Sequence, residues 1–145
     1  MIQYVKDGDV LLAIIVKACH KQKEGIEFFT SQDSTQQIGC VAHKKGTTVD
    51  AHIHNKVKRE VFYTHETLIM KSGKVRADFY DNDKKYVSST EIESGDVILF
   101  LEGGHGFKYL EDTQMIEVKQ GPYLQIQDKV RFEGISDKQA VMKQH

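Results

Sequence analysis

The sequence predicts an all-β protein, and three observations lead there. Short apolar or alternating runs recur along the chain, turn-forming clusters separate them, and only the last ten residues read as helix. Many short strands at even spacing point to a sandwich or barrel, a class that includes double-sheet jelly rolls. At 145 residues the chain is long enough for one domain with a real core and too short for two ordinary ones.

Taken in order, the first element is Val10 to Ala18, which contains the longest apolar run, Val10 to Val16, set between Asp9 and Lys17. That run is far short of a membrane-spanning helix and reads as a strand apolar on both faces. A strand of this kind asks for cover on both sides, so a homodimer that covers it is expected. Ile26 to Thr30, Gln37 to His43, Val49 to His54 and Glu60 to Thr64 follow as predicted strands, then Thr67 to Met70, Lys74 to Tyr80 and Tyr86 to Ile92. Asp96 to Leu101, Gly106 to Leu110 and Met115 to Lys119 complete the set. Lys-Glu-Gly, Lys-Lys-Gly, Lys-Ser-Gly, Asp-Asn-Asp and Glu-Ser-Gly supply turns between them. Ser136 to His145, led by Ser136 and Asp137 and free of turn formers, is the one predicted helix. No repeat, linker or low-complexity segment divides the chain, so residues 1–145 are expected to form a single domain.

Composition narrows the function. Lys and Arg number 20 against 21 acids, a formal net charge of −1, which does not suggest a nucleic-acid footprint. No basic, hydrophobic and small-residue sequence of the secretory kind opens the chain, so a cytoplasmic location is expected. In that reducing compartment Cys19 and Cys40 are expected as two free thiols.

The chemistry concentrates in histidines. Successive side chains on a strand point to opposite faces, so His52 and His54 would present both imidazoles on one face. Glu66 opens an apolar strand that ends at Gly73, and His105 sits in a Gly-Gly-His-Gly turn directly after the strand from Asp96 to Leu101. Imidazole and carboxylate together suit Mn, Fe(II), Co, Ni, Cu or Zn better than Mg or Ca.

These residues carry a resemblance to the cupin superfamily, small β-barrels with the motifs G-x5-H-x-H-x(3,4)-E-x6-G and G-x5-P-x-G-x2-H-x3-N. Gly46, His52 and His54 match the start of the first motif, and Glu66 with Gly73 match its end after a longer spacer. Gly95, Gly103 and His105 match the second loosely, with His105 one residue early, Leu101 where Pro is usual and Tyr109 where Asn would fall. The likeness spans residues 38 to 120 and is closest to small bacterial single-domain cupins, which share the Gly121-Pro122-Tyr123 end to the last strand. It implies a jelly-roll barrel in which His52, His54, Glu66 and His105 hold one divalent transition metal. Family spacing after His54 lands on Lys58 or Arg59, with Glu60 the nearest acid, but only Glu66 begins a strand that closes at a glycine six residues later.

Parity then assigns the neighbours. With Glu66 inward, Leu68 and Met70 face inward too. Two strands leave a choice. Met115, Glu117 and Lys119 oppose Ile116 and Val118, and the simpler arrangement buries Ile116 and Val118. Val75, Ala77 and Phe79 likewise oppose Arg76, Asp78 and Tyr80. Were the polar sets internal, Arg76, Tyr80, Glu117 and Lys119 would bind substrate or move protons. The long spacer, Asn55 to His65, carries Lys56, Lys58, Arg59 and Tyr63, and over the barrel mouth its cations would favour an anionic ligand.

The resemblance implies a metal-dependent protein acting on a small polar molecule, sugar-derived in some cupins, with isomerisation or epimerisation as the favoured chemistry. Fe(II)-dependent oxygen chemistry and non-catalytic binding of a small molecule are the alternatives. Metal-free catalysis through histidines, as in sugar ketoisomerases of the superfamily, remains admissible for His52 and His54.

Overall fold

The computed structural model describes residues 1–124 and 128–143. It is an all-β structure with three antiparallel sheets, and among the described residues it contains no α-helix and no closed barrel. The chain divides into two units, one of Met1–His20 with Tyr63–His145 and one of Lys21–Phe62.

In the larger unit, strands β1 (Ile2–Asp7), β2 (Val10–Val16), β5 (Glu66–Ser72), β8 (Val97–Phe100) and β10 (Gln114–Lys119) form a sheet in the order β1-β2-β8-β5-β10. Strands β6 (Lys74–Tyr80), β7 (Tyr86–Glu93) and β9 (Gly104–Tyr109) form a second sheet in the order β7-β6-β9. The chain passes from one sheet to the other between β5 and β6, β7 and β8, β8 and β9, and β9 and β10. Buried side chains of both sheets meet in one core: Val5, Leu12, Ala13, Ile15, Leu68, Met70, Ile98 and Phe100 from the first, Val75, Ala77, Phe79 and Ile92 from the second. Each large apolar side chain buried there contributes about 1.5–3 kcal/mol, and this layer is what holds the two sheets face to face.

The turn from β5 to β6 depends on Gly73. Its φ is +81°, and a Cβ at this position would collide with the carbonyl oxygen of Asp112.

Strand β1 escaped the sequence reading. Its Gln3 and Val5 point inward beside Ile15 and Ala13, while Tyr4 points out, a weak alternation with one large inward residue. The recovered β1 changes the expectation for β2. That strand is an interior strand between β1 and β8, buried from Leu12 to Val16, so its two apolar faces are covered within the chain and do not call for a partner.

Two further expectations fail. Val49 to His54 and Glu60 to Thr64 form no strand. Val49, Ala51 and Ile53 do alternate as a strand would, yet no other segment among the described residues pairs with them, while Val61, Phe62 and Tyr63 run consecutively and offer no single apolar face to a sheet. The predicted helix is also absent from Ser136 onward among the described residues, apart from a 3-10 turn at Asp137–Gln139. Residues 144 and 145 lie outside the described residues.

What replaces the helix is an extended segment laid over the outer face of the three-stranded sheet. Ser89 of β7 donates its backbone N–H to Val141 O at 2.9 Å and accepts from Lys143 N at 2.8 Å, forming a parallel bridge with Met142. Ile135 N donates to Tyr80 Oη at 3.0 Å, and the Phe132 ring stands edge-on to Tyr80 with centroids 5.0 Å apart. The segment thereby covers part of the β7 edge, which would otherwise present unpaired backbone groups.

In the smaller unit, β3 (Gly25–Phe28) and β4 (Gly39–Ala42) form an antiparallel ribbon that pairs Ile26 with Val41 and Glu27 with Cys40. Residues 43–62 carry no regular structure. Cys19 and Cys40 are both free thiols.

Asp96 ties the turn before β8 to the end of β2. It is fully buried and accepts from Ala18 N at 2.8 Å, Glu93 N at 3.0 Å and the ammonium of Lys17. Asp96→Ala leaves the largely covered Lys17 ammonium and two backbone donors without their acceptor. It should lower the unfolding free energy by about 3 kcal/mol, measured by urea titration, with Lys17→Met costing less.

Candidate functional site

Glu66 and His105 come together at one end of the core of the larger unit. The register of the ladders explains why. Glu66 opens β5, pairs across the sheet with Phe100 of β8 on one side and Lys119 of β10 on the other, and shares the inward face with Leu68 and Met70. His105 lies near the start of β9 opposite Phe79, so it also points toward the core, with Phe107 two residues on. Its ring stacks on Phe100, with centroids 3.9 Å apart and planes 22° apart. That contact directs the imidazole Nε2 to Glu66 Oε2 at 3.5 Å.

Both groups are mostly covered, with side-chain exposures of 26% for His105 and 17% for Glu66, and so remain reachable from solvent. The Glu66 carboxyl is held below its ordinary pKa. The His105 contact is the largest cause, burial opposes it, and the charges of His105, Lys119 and Lys129 add to it. Glu66 is therefore an anionic oxygen donor at neutral pH.

The simpler expectation for β10 fails here. Ile116 and Val118 are about half exposed, while Met115 packs on the core and Glu117 and Lys119 share the inward face with Leu68 and Glu66. The reason is register: with Met115 opposite buried Met70, the residues two and four positions on must face the same way. Lys119 Nζ lies 2.6 Å from Glu117 Oε1 and 4.7 Å from the centroid of the Tyr123 ring. Contact with Glu117 raises the Lys119 pKa above its ordinary value, with burial opposing, so the ammonium stays charged. Next to Glu66, the backbone N–H of His65 donates to Gln120 Oε1 at 2.9 Å, tying the start of β5 to the residue after β10. Burial pushes the His65 imidazole below its ordinary pKa, against the charge of Glu102.

Arg76 and Tyr80 are not brought to this site. Val75, Ala77 and Phe79 fill the core, which puts Arg76, Asp78 and Tyr80 on the opposite face of β6, under the C-terminal segment. Arg76 grips Asp78 with two bonds of 2.7 and 3.0 Å and reaches Asp137 at 2.9 Å. Asp78 also accepts from the Ser89 hydroxyl, which contacts Tyr86 Oη at 2.7 Å. Every one of these polar groups has a partner, and the set serves to hold the segment in place.

His52 and His54 belong to the smaller unit, where their rings stand edge-to-face with centroids 5.2 Å apart. His52 Nδ1 is 3.0 Å from the carbonyl oxygen of Asp50. A carbonyl only accepts, so in the neutral ring this contact puts the proton on Nδ1 and the lone pair on Nε2. Lys56, Lys58 and Arg59 lie in the same exposed stretch, and Lys58 Nζ contacts Glu60 at 2.8 Å. Among the described residues no three His, Cys, Asp or Glu side chains are gathered closely enough to hold a metal.

Phe100, Gln120, Tyr123 and Lys129 bear on this site without having been singled out for it in the sequence. Phe100 shares the face of Glu66 because it is its ladder partner, and that register is not written in the sequence. The other three lie in or near the irregular chain after β10, where no period exists to read.

Compared with protein-family models, curated proteins and solved structures, the chain has no match in any of the three.

Because the folded Glu66 has a lower pKa than the unfolded one, its contribution to stability is complete above the ordinary carboxylate range and is lost as pH falls through the folded value. Urea midpoints measured from neutral to acid pH should fall less steeply for Glu66→Gln than for the wild type, and the difference should be confined to that acid limb.

Proposed function

We propose that this protein is a metal-binding cupin with a jelly-roll arrangement, working in the cytoplasm on a small polar molecule. The 3.5 Å approach of His105 Nε2 to Glu66 Oε2 carries this reading. Two donors bound to one ion at about 2.1 Å and at a tetrahedral angle stand roughly 3.4 Å apart, so the pair has the spacing of neighbouring ligands. The donor chemistry fits as well: an ionised carboxylate, an imidazole and, in His52, a second imidazole whose free nitrogen is Nε2. Glu66, His105, His52 and His54 would hold the ion, and a mixed nitrogen and oxygen set selects Mn, Fe(II), Co, Ni, Cu or Zn. Such an ion supplies stabilisation of an enolate or other oxyanion on the substrate.

The remaining residues favour turnover over simple binding. A site lined by apolar groups alone would hold a ligand and do no chemistry. Here Lys119 and Glu117 add a charged donor and a carboxylate on the same inward face as Glu66. Lys119 Nζ would orient an anionic oxygen of the substrate, Glu117 would accept or return a proton, and Phe100 with Leu68 would keep water from beneath them. Isomerisation or epimerisation of a sugar-derived molecule suits that inventory. Oxygen consumption by the iron-loaded protein would instead place it with Fe(II)-dependent dioxygenases.

A second reading has its own support. His105 Nε2 and Glu66 Oε2 stand 3.5 Å apart, near enough to work as a general acid/base pair, and no group of three ligands is preformed among the described residues. Full activity after chelation and dialysis would decide for it.

Elemental analysis of protein purified without chelator, followed by titration of the dialysed protein with divalent ions, tests the metal directly. About one ion per chain is expected. Glu66→Ala, His105→Ala, His52→Ala and His54→Ala should each weaken binding roughly tenfold or more. Unchanged affinity in the His52→Ala, His54→Ala double variant would remove those two residues from the site, and no binding of any of these ions by the wild type would remove the metal.

A further inference from the structure

The smaller unit has no core of its own. None of the 42 residues of Lys21–Phe62 is buried in the single chain, and its only regular structure is the ribbon of β3 and β4. A two-stranded ribbon is marginal in water, and a chain segment of this size rarely holds together without something to pack on. One face of the ribbon is apolar: Ile26 is 60% exposed, Phe28 58% and Val41 63%, and Ile26 and Val41 are cross-strand partners.

The larger unit carries an exposed apolar strip of the same kind. On the outer face of its five-stranded sheet, Ile69 and Ile116 are cross-strand partners, 36% and 49% exposed, and Val118 on the same face is 48% exposed. The two units also differ in charge. Residues 21–62 contain seven Lys or Arg and five Asp or Glu, which leaves 13 and 16 in the rest of the chain. The smaller unit is thus net +2 and the larger net −3, while two whole chains at −1 each hardly repel.

We propose that the protein is a two-fold dimer in which the ribbon of one copy docks on the strip formed by Ile69, Ile116 and Val118 of the other, and reciprocally. Ribbon meets strip twice, so the assembly closes at two copies. Apolar ladder faces apolar ladder, and the positive unit of each copy meets the negative unit of its partner. This surface is distinct from β2, which the chain itself covers, and the proposal does not rest on the metal.

Light scattering on the full chain tests it. The wild type should show twice 16.6 kDa at micromolar concentration. Val41→Glu and Ile116→Glu should each weaken dimerisation at least tenfold while the far-ultraviolet circular dichroism stays that of a β protein, and Ile26→Ser substitutes for Val41→Glu if the latter does not fold. Mixing the two glutamate variants leaves one ribbon and one strip intact in the heterodimer, so the mixture should regain a dimer fraction that neither variant shows alone. A monomeric wild type, a fully dimeric Ile116→Glu, or a mixture that stays monomeric would overturn the proposal.

Discussion

The register of β5 is the constraint on which the larger unit turns. Leu68 and Met70 must face the core, and the side-chain period of a strand then leaves no freedom: Glu66 points inward at one end and Ile69 points out. A slip of one residue would turn Thr67 and Ile69 toward the core and send the carboxylate to the outer face. The same register sets both neighbours of Glu66. Phe100 arrives on one side and provides the platform for His105, and Lys119 arrives on the other. The polar cluster is thus a by-product of hydrophobic burial a few ångströms away, and its accuracy is borrowed from the packing of Leu68, Met70 and Phe79.

That dependence explains what could be read from the sequence. Strands β6, β7 and β8 were legible because each alternates or runs apolar for its full length between turn formers. Glu66 was legible for the same reason, since parity with Leu68 and Met70 decides its direction. Strand β10 misled because Ile116 and Val118 are the better hydrophobes, whereas Met115 is the residue that meets Met70. The face of a strand is decided by its partner's register, and a single sequence does not contain that. Strand β1 was missed because only Val5 supplies a large buried side chain, and missing it made β2 look uncovered.

The histidines divide along the same line. His105 lies within β9, so the ladder with β6 positions it. His52 and His54 lie in a stretch whose Val49, Ala51 and Ile53 alternate as a strand would, yet no ladder among the described residues acts on it. Their rings are neighbours because they are two residues apart, not because a sheet holds them. A donor pair on a scaffold and a donor pair on irregular chain differ in what binding must pay: the first is already ordered, and the second loses conformational freedom when it is fixed.

The covering of the three-stranded sheet by residues 132–143 has a consequence for biosynthesis. Arg76 and Asp78 leave the ribosome some sixty residues before Asp137 does, and Tyr80 and Ser89 wait similarly for Ile135 and Val141. During that interval the outer side of the nascent sheet is wet, its buried fork half made and the β7 flank unprotected. The hydrophobic layer between the sheets does not need the tail, because all its members have emerged by residue 107 apart from Met115. Residues 132–143 therefore add a polar closure over a core that is already complete, on the face of the three-stranded sheet away from Glu66.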